Sequence, residues 1–90
     1  MSLRMDVIYS GRVQGVGFRA TVLQISRQYA VTGYVRNQTD GTVELIAEGD
    51  EPELLAFLAT IRQRFARHLS GESSHRAQAE STFEGFEIRS

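Results

Sequence analysis

One stretch near the N-terminus, residues 11–19, constrains the fold of this chain more than any other; its sequence is Gly-Arg-Val-Gln-Gly-Val-Gly-Phe-Arg. A short apolar segment precedes it and a helical pattern of apolar residues begins at its end, so the stretch predicts a turn that joins a strand to a helix. Its glycines let the backbone come close to a ligand, and its N–H groups together with the helix N-terminus can hold an anion. Arg19 adds a planar, permanent positive charge suited to phosphate or carboxylate. The stretch therefore predicts an anion site.

The charges of the chain place such a site in its first half. The 90 residues carry a net charge of −1, which argues against broad electrostatic capture of nucleic acid. Residues 1–40 contain five arginines and two acidic residues, whereas residues 41–90 contain five arginines and nine acidic residues. All ten basic residues are arginines, so neither a Schiff-base lysine nor a phosphate-loop lysine is possible. Any anion site should therefore use arginine.

The composition narrows the class of protein. A chain of 90 residues with 41% hydrophobic and 23% charged residues is typical of one globular domain, and we expect a single domain over residues 1–90. The absence of cysteine excludes a disulfide framework and a thiolate nucleophile, and it fits a reducing, cytoplasmic location. No apolar run approaches the ~20 residues that span a bilayer, and no signal peptide is visible. We therefore expect no membrane partner.

The apolar periodicities predict alternating strands and helices. Residues 31–48 combine two strand-like runs with an Asp-Gly pair at 40–41, which is a signature of tight hairpins. Asp50 and Glu53 fit the two ends of a capping box, and Pro52 fits the first turn of a helix. We expect strands over residues 4–10, 31–37, 42–48 and 85–90, helices over residues 18–29 and 50–65, a loop over residues 69–74 and a weak strand over residues 76–83.

This order predicts an α+β fold of the ferredoxin-like (βαββαβ) type, with a further short strand near the end. In that fold an antiparallel sheet carries two helices packed on one face. The last strand should turn Phe86 and Ile88 inward, and we expect His68 and His75 to be solvated. The two helices should bury apolar stripes at helical spacing, made of Phe18, Val22, Ile25 and Tyr29 and of Leu54, Leu55, Phe57, Leu58, Ile61 and Phe65.

Two segments of the chain match the signature stretches of a known family in order and spacing. The first is residues 11–19. The second starts fourteen residues after Arg19 and covers residues 33–44, Gly-Tyr-Val-Arg-Asn-Gln-Thr-Asp-Gly-Thr-Val-Glu. Together they closely resemble the acylphosphatase family, and the resemblance extends from about Val7 through the second helix and to residues 86–89. Two long motifs at the right separation are far more specific than one glycine-bearing loop.

The resemblance implies a free-standing enzyme that hydrolyses acyl phosphates to a carboxylate and inorganic phosphate without a metal or cofactor. It implies that Arg19 binds the phosphate and that Asn37 positions the attacking water. The expected partners are a small-molecule acyl phosphate and inorganic phosphate as product or inhibitor, with no nucleic acid and no membrane, and we expect a monomer. The phosphate cradle should consist of the backbone N–H groups of Gln14, Gly15, Val16, Gly17 and Phe18.

Other interpretations of the same residues stay open. A non-catalytic acylphosphatase-like module would bind a phosphate or phosphorylated group without turnover, as such modules do within larger maturation proteins of hydrogenases. An RNA-binding domain of the same topology would need exposed aromatic residues and a basic sheet face, whereas this chain offers Tyr34 with Glu44 and Glu48 on the next strand. Taken alone, the glycines could serve only a tight turn, and Asn37 could bond its own turn.

Overall fold

The structure is a computed structural model that describes residues 2–90. Its order of elements confirms the predicted ferredoxin-like α+β fold, including the further strand near the end. The elements are β1 (Ser2–Gly11), α1 (Phe18–Ser26), β2 (Thr32–Asn37), β3 (Val43–Asp50), α2 (Glu51–Arg64), β4 (Leu69–Gln78) and β5 (Phe86–Arg89).

The five strands form one sheet in the order β4-β1-β3-β2-β5. Neighbouring strands are antiparallel except β2 and β5, which run parallel with Val35 opposite Ile88. The central hairpin of β2 and β3 places Asn37 opposite Val43. Val43 also pairs with Tyr9 near the end of β1, so Asn37 and the end of β1 lie at the same end of the strands. This topology brings the two sequence motifs to one end of the molecule.

The hydrophobic core lies between the sheet and both helices, because alternate residues of each strand face the helices. The predicted helix stripes are confirmed except at two positions. Leu55 is 48% exposed, and α1 ends at Ser26, so that Tyr29 lies in the following turn and packs partly against the core. Within residues 2–90 neither helix is long and apolar enough to cross a membrane. The largest fully buried side chains are Val7, Tyr9, Val13, Phe18, Val22, Val35, Val43, Leu45, Leu54, Phe57 and Ile61.

We expected a loop over residues 69–74 and a weak strand over residues 76–83, but the structure has one continuous strand, β4, over Leu69–Gln78. It pairs with β1 from Leu69 to Gln78 along the edge of the sheet. Its helix-facing positions carry charges, and these are matched by partners on α2: Glu72 pairs with Arg62, and Arg76 with Glu51. The strand therefore shows no apolar alternation, because ion pairs take the place of buried side chains on its inner face.

Two further local expectations are wrong. Asp50 is the N-cap residue of α2, but its side chain makes no capping hydrogen bond, and Glu53 instead accepts the N–H of Ala30 at 2.7 Å. The capping box is thus replaced by a tie to the end of the α1–β2 connection. In the last strand Phe86 and Ile88 both lie on the helix side of the sheet, but only Phe86 packs against the core, and the expected burial of Ile88 is wrong because this residue remains 38% exposed.

The two histidines differ from each other. His75 is exposed on β4, as expected. His68 is not freely solvated, because its ring packs edge-on against Phe65 at 5.7 Å and its Nδ1 is buried without a hydrogen-bond partner. Its backbone carbonyl accepts the N–H of Arg12 at 2.8 Å. The expectation for His68 is therefore wrong, and this residue anchors the start of the glycine-bearing loop.

Candidate active site

The glycine-bearing loop between β1 and α1 takes a conformation that favours glycine. Gly15 and Gly17 have φ angles of +77° and +79°, in the left-handed region. No atom lies within 4 Å of where a Cβ would stand on either residue, so backbone conformation rather than crowding favours glycine there. Gly17 is the N-cap residue of α1. The loop thus turns directly into the first turn of the helix.

The N–H groups of this loop are free of acceptors in the part of the protein that the structure describes. Within residues 2–90, none of the N–H groups of residues 14–18 donates a hydrogen bond. The N-terminus of α1 has neither a side-chain cap nor an acidic residue in its first turn. The first N–H groups of a helix require partners and carry partial positive charge. Their donors are therefore available to an external anion.

Arg19 lies in that first turn without a carboxylate to neutralise it. It is half-buried, and no ion pair or hydrogen bond of its side chain is found in the part of the chain that the structure describes. A cation at the start of a helix is disfavoured by the helix dipole. An anion bound by the loop would remove that penalty, because the guanidinium and the N–H groups would then face the same negative charge.

A cleft of about 180 Å³ joins the loop to Arg19. Val13 and Phe18 belong to the core and are each 1% exposed. The remaining lining consists of the two left-handed glycines, two further residues of α1 and one residue of β5. The full lining is Val13, Gly15, Gly17, Phe18, Arg19, Ala20 and Ile88.

An aromatic cluster fixes the base of this cleft. The ring of Phe18 lies 5.2 Å from Tyr9 and 4.6 Å from Phe65, in tilted or edge-on arrangements that stabilise aromatic pairs. The Tyr9 hydroxyl is buried and finds no hydrogen-bond partner among residues 2–90, and burial raises the pKa of Tyr9 above its usual value. The cluster therefore holds the first residue of α1, and with it the end of the loop, against β1 and α2.

Gln14 connects the loop to the hairpin that carries the second motif. Its side-chain nitrogen donates to the backbone oxygens of Gln38 and Thr42, each at 2.8 Å. The hairpin is closed by Asp40, whose carboxylate accepts the N–H and the hydroxyl of Thr42, and these bonds hold the pKa of Asp40 below its usual range. The resemblance assigned Gln14 only a backbone role. Its side chain was missed because no spacing in the sequence identifies the two carbonyls.

Asn37 lies at the end of β2, next to that tie. Its Oδ1 is buried and has no hydrogen-bond partner within residues 2–90. A second cleft of about 310 Å³ is lined by Arg36, Asn37, Gln38, Thr39 and Ser90. Both clefts are lined by residues of the C-terminal segment: Ile88 lines the first cleft and Ser90 lines the second.

The structure brings most of the predicted site residues, but not all of them, together in one cleft. Gly15, Gly17, Phe18 and Arg19 meet at the first cleft, and Gln14 ties the loop to the hairpin. Val16 is 44% exposed and does not line that cleft. Asn37 lines the second cleft, and no hydrogen bond joins it to Arg19.

The open face of the sheet does not present a free aromatic platform. The ring of Tyr34 is covered by the guanidinium of Arg89 at 4.3 Å and meets Phe83 edge-on at 5.9 Å. Its hydroxyl donates to Glu44 at 3.1 Å, and burial together with that carboxylate raises the pKa of Tyr34. Arg36 is paired with the same Glu44 at 2.7 Å. These contacts occupy the groups that base stacking and phosphate binding would need.

Comparison with known proteins finds similarity in both sequence and structure. A family model described as Acylphosphatase matches residues 5–88. An acylphosphatase from Syntrophotalea carbinolica is 39% identical over 88 residues, which cover 97% of this chain and 96% of that protein. An acylphosphatase from Bacillus velezensis is 40% identical over 85 residues, covering 90% of this chain and 94% of the relative. The crystal structure of acylphosphatase from Bacillus subtilis has a TM-score of 0.87 and 30% identity, with 98% and 99% of the two chains covered.

Proposed function

The chain belongs to the acylphosphatase family, and on that premise we propose how it hydrolyses the carboxyl–phosphate bond of acyl phosphates. The loop N–H groups and Arg19 hold the phosphate, Asn37 positions the attacking water, and no metal takes part. One observation carries the proposal: Gly15, Gly17 and Phe18, whose N–H groups donate no hydrogen bond within residues 2–90, line one cleft together with Arg19, and α1 has no acidic residue in its first turn there. This arrangement is suited to a phosphate.

The phosphate site draws its strength from donors that are already in place. A guanidinium forms charge-assisted bonds to phosphate oxygens, and N–H groups at a helix N-terminus add to them. Because Phe18 is held by the aromatic cluster and Gln14 by the hairpin, the loop needs little reorganisation as the charge on the phosphate redistributes. Donors that are fixed before the reaction stabilise the transition state more than donors that must be ordered during it.

Asn37 supplies the group that orients the water. A buried carbonyl oxygen without a partner costs about 1–3 kcal/mol, so the Oδ1 of Asn37 requires a hydrogen donor that the described protein does not provide. Since Asn37 lines the second cleft, the donor that we assign to this oxygen is the attacking water. The hydrogen bond from Gln14 to the Gln38 carbonyl ties the hairpin that carries Asn37 to the glycine-bearing loop.

The chemistry needs few further groups. The water oxygen attacks phosphorus, the bond between phosphorus and the bridging oxygen breaks, and its electron pair leaves with the carboxylate. A carboxylate departs without protonation, so no general acid is required, and a phosphate oxygen of the substrate accepts the proton of the water. Phosphoryl transfer of this kind depends mainly on positioning and charge stabilisation. The groups around the two clefts provide both.

Hydrolysis of an aromatic acyl phosphate in the presence of a chelator tests this proposal. The wild type should turn over at an undiminished rate with chelator. The Asn37→Ala variant should lose about a hundredfold in kcat, while inhibition by inorganic phosphate stays within about twofold, because the phosphate ligands are intact. Thr39→Ala is the matched control, since Thr39 lines the same cleft and is exposed; its kinetics should equal those of the wild type.

The alternative, a non-catalytic phosphate-binding module, makes a different prediction. It has the same phosphate ligands, so inorganic phosphate would bind while no acyl phosphate is hydrolysed. Full activity of Asn37→Ala would instead remove the water-positioning role while leaving the phosphate site in place. Loss of wild-type activity on adding chelator would overturn the metal-independent part of the proposal.

A further inference from the structure

Ile88 is an apolar side chain that faces the phosphate cleft without being covered. It lies on β5 opposite Val35 and on the helix side of the sheet, as does Phe86 two residues earlier. Phe86 is covered by the ring of Phe57 on α2, at 5.5 Å. Ile88 instead lines the same cleft as Arg19 and is 38% exposed. A second apolar side chain at this end of the molecule, Val16 on the loop, is 44% exposed.

The lining of the cleft therefore has a polar and an apolar part. The polar part consists of the loop backbone and the guanidinium of Arg19, and the apolar part includes Ala20 and Ile88. Arg19 is the only cation that lines it, so the described residues offer no second positive charge for a charged acyl group. Its volume of about 180 Å³ is smaller than the roughly 300–1,000 Å³ of sites for drug-sized ligands. A phosphate carrying a compact apolar group matches this shape and polarity.

We propose that Ile88 contacts the acyl group of the substrate and makes the enzyme prefer apolar acyl phosphates, aromatic or branched aliphatic, to small or charged ones. This inference rests on the proposed function, because the phosphate must lie in the loop for the acyl group to reach Ile88. An apolar acyl group would cover exposed apolar surface on Ile88, which is favourable. A carboxylate or ammonium at the same place would lose hydration without gaining a partner.

The test compares benzoyl phosphate with acetyl phosphate on four proteins. These are the wild type, Ile88→Ala, the milder Ile88→Val and the control Leu55→Ala, which removes another exposed apolar side chain, outside the cleft. Ile88→Ala should lower kcat/KM for benzoyl phosphate about fivefold and for acetyl phosphate less than about twofold. Ile88→Val should give an intermediate change, and Leu55→Ala should leave the ratio between the two substrates unchanged.

Further readouts separate contact with the acyl group from a structural effect. Inhibition by inorganic phosphate should be the same in all four proteins, because phosphate does not reach Ile88. Equal losses for both substrates, an altered inhibition by phosphate or an unchanged substrate ratio would each overturn the role of Ile88. If Ile88→Ala does not fold, Ile88→Val decides by the same criteria.

Binding of substrate analogues distinguishes this inference from the proposed function. Benzoylmethylphosphonate and 2-oxopropylphosphonate carry the same two acyl groups but are not hydrolysed. Calorimetry should show tighter binding of the aromatic analogue to the wild type, and about a fivefold weaker binding of it to Ile88→Ala. If the wild type binds the analogues in this way but hydrolyses neither acyl phosphate, the proposed function fails and the preference set by Ile88 stands. Equal affinity for the two analogues, or no binding of either, overturns the preference.

Discussion

The two helices of this chain begin in opposite ways. α2 begins with acidic residues at its N-terminus, namely Asp50 at the N-cap and Glu51 and Glu53 in the first turn. α1 begins with a left-handed glycine at the N-cap, no acidic residue in its first turn, and Arg19. Every helix N-terminus favours negative charge and has N–H groups that need acceptors. The protein supplies negative charge at the start of α2 and none in the first turn of α1.

This difference suggests separate roles for the two helix starts: the start of α2 stabilises the fold, and the start of α1 is the one that we propose binds the anion. At α2 the acidic groups serve the structure, since Glu53 accepts the N–H of Ala30 and Glu51 pairs with Arg76 of β4. At α1 no acidic group of residues 2–90 meets the same demand, and on our proposal an anionic ligand does so together with Arg19. A helix start that destabilises the free protein can bind an anion strongly, because binding relieves an existing penalty. The substitutions below test this contrast.

Removing the cation from α1 should have the largest effect. We expect Arg19→Ala to lower kcat/KM for an acyl phosphate about a thousandfold and to weaken inhibition by phosphate in parallel. The free energy of unfolding should change by less than about 0.5 kcal/mol, because Arg19 has no ion pair within residues 2–90 to lose. Steady-state kinetics and urea unfolding measure the two quantities.

Arg27→Ala is the matched control for that variant. Arg27 is the C-cap residue at the other end of α1 and is exposed, so its removal should leave the kinetics unchanged. Arg19→Lys should recover only part of the activity, because an ammonium lacks the planar fork of the guanidinium. Near wild-type kinetics in Arg19→Ala would show that the α1 N-terminus is not the phosphate site.

An acidic residue placed in the first turn of α1 should make this helix start resemble that of α2. Ala20 is exposed and lines the cleft, and Ala20→Glu should weaken inhibition by phosphate about tenfold through repulsion and competition for the N–H groups. It should also raise the free energy of unfolding by about 0.3–1 kcal/mol. Ala20→Gln, similar in size but uncharged, should do neither. Equal inhibition of the Glu and Gln variants would contradict the contrast between the two helices.

The elements that the sequence predicted well are those with local signals. The hairpin follows from an Asp-Gly turn between alternating strands, and both helices follow from apolar spacing. The glycine-bearing loop between β1 and α1 was predicted from its glycines, two of which take left-handed conformations that are a local property of the backbone. In each case residues near one another in the chain carry the information, so the order of elements and the place of this loop could be derived.

What the sequence did not predict depends on contacts between distant residues. Glu48 lies on the polar side of an alternating strand, yet it is only 4% exposed, because its carboxylate accepts the N–H groups of Glu80 and Ser81. The tie from Gln14 to the hairpin spans 24 residues of chain. Strand β4 takes its register from β1 rather than from its own pattern. Such partners are set by the assembled fold and leave no periodic signal.

A substitution that strains the backbone at the start of α1 without changing its charge separates the effect of loop conformation on activity from the effect of charge. Gly17→Ala places a side chain at a φ of +79° with open space around its Cβ, so the expected cost is the backbone term alone, about 1 kcal/mol of unfolding free energy. Activity should fall several-fold, because relaxing this strain turns the loop N–H groups away from the cleft. Gly85→Ala is the control, since its Cβ also meets open space and its φ is not positive. Equal stability and activity in both variants would show that the left-handed turn is not needed.

The smallest effect on activity should come from a substitution at the start of α2, where the acidic residues make structural contacts. Glu53→Ala removes the acceptor for the N–H of Ala30, and we expect it to lower the free energy of unfolding by about 0.5–1 kcal/mol. Glu53→Gln keeps an acceptor oxygen and should recover most of that loss. Neither variant should alter kcat/KM or inhibition by phosphate, because Glu53 lies outside both clefts. If Glu53→Ala impaired catalysis as well as stability, the two helix starts would not be independent. The hydrogen bond from Ala30 to Glu53 would then also hold the glycine-bearing loop in place.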